Sequence, residues 1–190
     1  MIMFSGMGVT AGTHRLWSHR AYKAKTPLRI LLMIMQTSSL QNDVIDWCRD
    51  HRVHHKYSET DADPHNATRG FFFAHIGWLM VKKHPLVIKR GREIDLSDLK
   101  ADPVLQFQHK HYGILAVFLA AVLPFCIAYY VMGETWQMAF FGYVVNRLMF
   151  TAHGTSLVNS AAHLYGNRPY DKTINPSENV LVSAIAFGEG

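Results

Sequence analysis

The amino-acid sequence predicts an all-α, multi-pass membrane protein with a histidine-rich helical cap on one side of the bilayer. Three observations carry that prediction. Tyr112 to Met132 (YGILAVFLAAVLPFCIAYYVM) runs 21 residues without a charge, about the length that crosses a bilayer core. A short break, Gly133-Glu134-Thr135, separates it from a second apolar stretch, Trp136 to Leu157, which pairs with it as a helical hairpin. The chain's 12 histidines fall largely in groups within the polar segments that flank these stretches. A domain of 190 residues has little interior in which to bury two such helices, so lipid is the expected solvent.

The remaining elements follow in chain order within one domain, residues 1–190. Met1–Val9 (MIMFSGMGV) is apolar, too short to span, and lacks the basic start and small-residue cleavage site of a signal peptide. Residues 1–11 therefore read as the end of a transmembrane helix that starts upstream. Residues 12–111 form the cap. Within it, Pro27–Leu40 is apolar but short, either a helix lying along the membrane or an ordinary core helix. Gln41–Tyr57 is polar and helix-compatible. Thr60–Gly70 (TDADPHNATRG) is a loop by its Asp, Pro, Asn and Gly content. Apolar Phe71–Val81 and basic Lys82–Arg92 follow. Residues 158–190 return to the cap side, and the stop at Phe187-Gly188-Glu189-Gly190 reads as the edge of a fragment.

Net charge is +5, and residues 13–111 hold 16 of the 19 Lys and Arg, whereas Gly133–Thr135 holds none. Basic segments stay on the cytosolic side, so the cap is expected in the cytosol and the hairpin tip across the membrane. Nucleic-acid binding is the other use of a basic surface. Ten acidic residues share the same region and no nucleic-acid motif appears, so that class is set aside. Cys48 and Cys126 lie in different environments, which supports neither a disulfide nor a thiolate zinc site.

The histidines carry the chemistry. Residues three and four apart share a helix face, so His51, His54 and His55 fan from one side of one turn, and Asn159 and His163 are co-facial. His14 and His19 are five apart, about 140° round an ideal helix. They converge only where the helix bends or ends, or else they bind different metals. A three-histidine zinc site would leave the other clusters unexplained. Imidazole-rich sites with open positions suit iron and dioxygen, and several separate clusters point to two ions. For each isolated histidine, including His65, His75, His84, His109, His111 and His153, an ordinary solvated or hydrogen-bonded side chain is the expectation.

GVTAGTHRLWSHRAYKA, QNDVIDWCRDHRVHHKYSETDADPHN, RGFFFAHIGWLMVKKHP and LVNSAAHLYGNRPYD together resemble the membrane fatty acyl-CoA desaturases, most closely the Δ9 stearoyl-CoA type, with insect members among them. The resemblance extends along essentially the whole chain. It implies a four-helix protein of the endoplasmic reticulum membrane whose histidine boxes face the cytosol and hold two Fe²⁺ ions. It implies desaturation of a long-chain saturated acyl-CoA, with a cis double bond at Δ9, using O₂ and electrons from NADH-cytochrome b5 reductase through cytochrome b5.

By position, the resemblance makes His14, His19, His51, His54, His55 and His163 iron ligands, with Asn159 reaching one iron through a water. It places acyl-CoA head-group contacts on Asn42, Arg49, Asp50, Lys82 and Lys83. Cationic side chains there also suit the phosphates of CoA on physical grounds. Two departures stand out. Family members carry a third histidine box directly after the Gly-Glu-Gly at which this chain ends. Vertebrate Δ9 members place a tryptophan against the acyl chain where this chain has Ser156, which leaves chain length and double-bond position open.

An unactivated methylene C–H is too strong for acid–base chemistry, so the cofactor supplies the oxidant and the protein positions it and the substrate. Carboxylates should orient the imidazoles, and Asp50, Asp61 and Asp63 are the nearest in sequence. Two rivals remain: a related membrane di-iron hydroxylase or monooxygenase, and a non-catalytic membrane protein that binds metal or acyl-CoA.

Overall fold

The computed structural model describes residues 1–168, 177–186 and 188, so Glu189 and Gly190, after which a third histidine box is expected, lie outside the described residues. Every element among the described residues is helical, apart from one isolated bridge between Asn167 and Glu178. The helices are α1 (Ile2–Met7), prolonged by π-helical turns over Gly8–Ser18; α2 (Thr26–Thr37); α3 (Val44–Lys56); α4 (Phe71–His75); α5 (Pro85–Arg92); and α6 (Ser97–Lys100). One continuous helix, Pro103–Val131, contains α7 (Pro103–Val117) and α8 (Leu123–Cys126). A π-helical run, Met138–Asn146, leads into α9 (Arg147–Leu164), and α10 is Val180–Ile185.

Two units pack separately: residues 1–48 with 96–152, and residues 49–95 with 153–190. The first is cored by Leu16, Trp17, Leu32, Met33, Val44, Cys48, Leu99 and Leu105, among others. Its helix starts are set by local chemistry. Asp102 caps Pro103–Val131 by accepting from the Val104 N–H at 2.9 Å, with Pro103 at the first helical position. The same carboxylate takes the Trp17 indole N–H at 3.3 Å and the Arg29 guanidinium at 2.8 Å, tying α2 and the end of the first helix to the cap. Buried Gln108 donates to Gln36 and Thr37 at 2.7 and 2.8 Å and accepts from the Val44 N–H at 3.0 Å.

Gly8 marks a close approach between the first helix and α2. A Cβ at that position would lie 2.2 Å from the Gln36 nitrogen and 2.4 Å from the Met35 carbonyl carbon, both backbone atoms. Backbone cannot rotate away as a side chain does. Gly8→Ala is therefore expected to destabilise the protein by about 2–3 kcal/mol, in the upper range for overpacking. A melting midpoint equal to that of wild type would show that α2 can shift freely.

Among the described residues one helix, Pro103–Val131, is long and apolar enough to cross a membrane. The expected span 112–132 is its C-terminal part, and the helix starts nine residues earlier, at the Asp102–Pro103 cap. Only 22% of its most apolar stretch is buried in the protein. The second expected stretch, 136–157, is also helical, but Asn146 and Arg147 lower its apolarity. Arg147 is turned inward and 2% exposed.

The second unit is smaller and more polar. Ala161 and Ala162 of α9 pack on Val182 and Ala186, with Leu157 and Val158 alongside. Asn179 caps α10, its Oδ1 accepting from the N–H groups of Leu181 and Val182. This pairing holds the C-terminal turns of α9, which carry Asn159 and His163.

Candidate metal centre

The first pair of histidines lies in the first unit, at the end of the helix that α1 begins. His14 and His19 are too far round an α-helix to meet. The chain solves this by widening: π-helical turns bond residue i to i+5, and the His19 N–H donates to the His14 carbonyl at 3.0 Å. The two rings consequently sit edge to face, 4.5 Å between centroids. Thr13 beside them is fully buried, and its carbonyl receives the Cys48 thiol at 3.5 Å.

The second group lies in the second unit on the last turns of α3. His51 and His55 rings are 4.4 Å apart, and His54 is 5.4 Å from His55. His54 faces the interior, with only 6% exposure. His163 of α9, similarly buried, brings its ring to 5.0 Å from that of His54. Asn159 sits one turn before His163 and is half-buried.

Asp63 organises this interior. The loop after α3 folds back through a turn in which the Asp63 N–H donates to the Thr60 carbonyl at 3.0 Å. Asn66 donates to the same carbonyl at 2.9 Å. Asp63 Oδ1 then accepts from His54 Nδ1 at 2.9 Å and from the His65 N–H at 3.1 Å, while Oδ2 accepts from the Glu59 N–H at 2.9 Å. Burial alone would raise this carboxyl. The His54 hydrogen bond, the neighbouring imidazoles and the Glu59 N–H outweigh it and hold Asp63 below its ordinary value. An ionised Asp63 fixes the tautomer of His54, with the proton on Nδ1 and Nε2 bare for a metal. Of the three carboxylates expected to orient imidazoles, Asp63 is the one that does so. Asp50 is engaged by Arg49 and Lys83, and Asp61 is exposed.

His65 is the residue that sequence reasoning passed over. Its ring lies 4.2 Å from that of His54 and against Trp78. Donor atoms of His54, Asp63 and His65 lie within 4.8 Å of one another, all buried. His65 Nδ1 is 3.6 Å from Asp63, beyond hydrogen-bond length, and has no hydrogen-bond partner among the described residues. Burial, then the adjacent His54 imidazole, pushes the His65 imidazole down to about 3, so it is neutral. Burial also lowers His163, whose Nδ1 is 3.5 Å from Glu59. Neutral imidazoles beside ionised carboxylates are a donor set that fits a divalent transition metal. No helical spacing marks His65; the only signal was its place two residues after Asp63 in a tight loop.

The expected substrate residues divide between the units. Asn42, at φ +64°, lies in the first, its carbonyl held by Gln36 Nε2 at 2.7 Å. The other five lie in the second. Asp50 bridges Arg49, at 3.0 Å, and Lys83. Lys82 and Lys83 line a cavity of about 170 Å³ shared with Arg69, Trp78, Asp61 and Asp63. Ser156 is 9% exposed on α9.

Asp63→Asn in the full-length protein is expected to weaken metal binding about 10–100-fold, the usual cost of losing a partner that orients a ligand. Metal titration of the purified variant checks this, and unchanged affinity would remove Asp63 from the centre.

Comparison with known proteins gives one consistent answer. The model of the fatty acid desaturase family matches residues 1–190. The chain is 56% identical to stearoyl-CoA desaturase of Capra hircus over 188 residues, covering 99% of this chain and 52% of that protein. It is 55% identical to Delta(9)-fatty-acid desaturase fat-6 of Caenorhabditis elegans over 190 residues, all of this chain and 56% of that protein. It is 57% identical to acyl-CoA Delta(11) desaturase of Spodoptera littoralis over 190 residues, again all of this chain and 56% of the relative. The chain thus spans about half the length of the curated relatives it matches.

Proposed function

Because the chain belongs to the fatty acid desaturase family, we propose that its full-length protein desaturates a saturated fatty acyl-CoA. The double bond is cis and at Δ9, and two Fe²⁺ ions serve as cofactor with O₂ and electrons from cytochrome b5 and its NADH-dependent reductase. The observation that carries this reading is identity of 54–57% along the whole chain to proteins named as Δ9, stearoyl-CoA or Δ11 desaturases. The protein sits in the endoplasmic reticulum membrane as a multi-pass helical protein, its histidines on the cytosolic side.

His14, His19, His51, His54, His55 and His163 are the proposed iron ligands, with Asn159 acting through a water. Bound iron supplies the oxidising power that removes two hydrogens from an unactivated chain. The protein's own work is positional. Asp63 holds the His54 ring and tautomer, and burial keeps His65 and His163 neutral. Lys82 and Lys83 offer cations for CoA phosphates, with Arg49, Asp50 and Asn42 completing the head-group set. A cavity of about 170 Å³ is far smaller than CoA, so it receives one part of the head group. Ser156, small and buried, faces the acyl tail and governs where the chain bends.

Expression of the full-length protein in desaturase-deficient yeast tests the reading. An unsaturated fatty acid with its double bond at carbon 9 is expected. A Δ11 product would keep the reaction and move the regiospecificity, in line with the Spodoptera littoralis relative. A hydroxylated chain would replace desaturation with the rival oxidation. Lys82→Gln with Lys83→Gln should raise the acyl-CoA KM about 10-fold, as expected for losing charge-assisted contacts of about 1.5 kcal/mol, and leave iron content unchanged.

A further inference from the structure

Within the second unit, the cavity of about 170 Å³ is lined by two kinds of residue. Asp63, Asn66 and Val87 are buried, whereas Asp61, Arg69, Lys82 and His84 are exposed. The buried acceptors are already committed. Asp63 takes three N–H groups. Asn66 Oδ1 takes the Thr68 N–H and hydroxyl at 2.9 and 2.7 Å, and its Nδ2 donates to the Thr60 carbonyl. What the lining has left to offer a ligand is chiefly donors.

Trp78 contributes an indole that can only donate. Its Nε1–H is buried and has no hydrogen-bond partner among the described residues, a cost that lasts until an acceptor reaches it. Arg69 lays its guanidinium on the Phe73 ring, 3.5 Å from the centroid. That contact steadies the fork and leaves its N–H edges to a ligand. His84 Nδ1 accepts from the Leu86 N–H at 3.3 Å, so its proton sits on Nε2, a further donor. Lys82 adds an ammonium, while Lys83 beside it is tied to Asp50. Asp61 is the one carboxylate of the lining without an ion pair or hydrogen bond among the described residues. Two cations, two neutral N–H donors and one free carboxylate select a phosphate that has a hydroxyl next to it.

We propose that this cavity receives the 3′-phosphate of coenzyme A, with Arg69, Lys82 and Trp78 as its donors. This rests on the acyl-CoA reading. A phosphomonoester carries about −1.5 to −2 charge at pH 7 and three acceptor oxygens, enough for all three donors at once. The diphosphate of CoA is esterified on both sides and must enter and leave any site it occupies. Only the 3′-phosphate is a terminal group, free to fill a small cavity from one attachment. The ribose 2′-hydroxyl adjoins it and donates to Asp61. Arg69 meets two phosphate oxygens with a planar fork, and Lys82 supplies a point charge. Arg69 and Trp78 thereby join the head-group set as residues that select the substrate and take no part in its oxidation.

The test measures binding of CoA and of 3′-dephospho-CoA to the full-length protein in lipid nanodiscs by calorimetry. Dephospho-CoA should bind wild type about 10-fold more weakly, the loss expected for one charge-assisted hydrogen bond. Arg69→Gln, at an exposed position, should weaken CoA by a similar factor and leave dephospho-CoA as it was, so the gap closes. Trp78→Phe keeps the ring, removes only the donor and should narrow the gap. Equal affinities in wild type, or an equal loss of both ligands in Arg69→Gln, overturn the assignment. Inorganic phosphate should compete with CoA and not with dephospho-CoA. Competition with both would move the phosphate site elsewhere, and competition with neither would remove it. Wild type that prefers CoA in this way but forms no double bond would strike the desaturase reading and leave the phosphate site standing. Double bonds formed by a protein that binds both ligands alike would do the reverse.

Discussion

Replacing Arg147 with methionine is expected to lower the stability of the first unit by about 3 kcal/mol or more, because buried acceptors left unmatched cost about 1–3 kcal/mol each. The guanidinium donates to Ser5 Oγ at 2.7 Å, to the Ser38 carbonyl at 2.8 Å, to the Ala120 carbonyl at 2.6 Å and to the Tyr143 carbonyl at 3.2 Å. Those groups belong to α1, the end of α2, the helix Pro103–Val131 and Arg147's own helix. One planar fork therefore joins four segments, adding to the Gln108 bonds to Gln36 and Thr37 and the Ser5–Ser38 hydroxyl pair. Among the described residues its hydrogen-bond partners are hydroxyl and carbonyl dipoles, with no carboxylate. Such a cation in a mostly apolar helix is costly in lipid, and it persists here because its donors are met. Methionine fills similar space without a donor, which isolates the polar loss from a packing loss. Arg147→Lys should fall between, since an ammonium keeps the charge but cannot reach acceptors on separate helices as a fork does. The melting midpoint of the purified full-length protein reads the effect. A midpoint for Arg147→Met within about 1 °C of wild type, less than a 1 kcal/mol change produces, would mean the fork contributes nothing net.

Arg147 also shows where sequence stops being informative. Its position inside an apolar stretch says that it must face protein or lie near a polar interface, and it faces protein. Which four acceptors it finds depends on residues 5, 38 and 120, far away along the chain, and no spacing encodes them. The histidines divide in the same way. His51, His54 and His55 were legible because helical periodicity alone puts them together. His14 and His19 were legible only as a condition, that the helix must deform, and the π-helical turns supply the deformation. His65 left no periodic trace of its importance, because its approach to His54 comes from the turn at Thr60–Asp63 and from the two-residue offset that lets both share one carboxylate. The contact of His75 with His153, 2.9 Å between ring nitrogens, was unreadable for a related reason: 78 residues separate them. The start of the long helix was legible in principle. Asp102-Pro103 is a cap followed by a first-turn proline, but Gln106, Gln108, His109, Lys110 and His111 obscure it from any reading by apolarity. A polar first third of a long helix is a fold feature that hydropathy cannot register, whereas capping chemistry can.

His54→Ala is expected to abolish double-bond formation and to strip metal from the centre, by more than about 100-fold in affinity, the upper end for losing a merely orienting partner. His54 is the point on which the second unit's interior converges. Asp63 aims it, His65 and His163 stand at 4.2 and 5.0 Å ring to ring, and it is 6% exposed. Removing it takes away a ligand and one of the three N–H groups that hold the buried Asp63 carboxylate, leaving those of His65 and Glu59 alone. Two companions give the result meaning. Asp63→Asn keeps the imidazole but loosens its aim, so the graded order His54→Ala, then Asp63→Asn, then wild type should appear in metal affinity as well as in rate. Lys82→Gln with Lys83→Gln should move acyl-CoA affinity and spare the metal. If His54→Ala lost activity while its iron content stayed at the wild-type level, His54 would be acting as a packing or proton-bearing residue rather than a ligand. If instead His65→Ala lost as much metal as His54→Ala, the buried His54, Asp63 and His65 group would itself be the binding set. The resemblance to the desaturases would then have assigned the right neighbourhood and one wrong ligand.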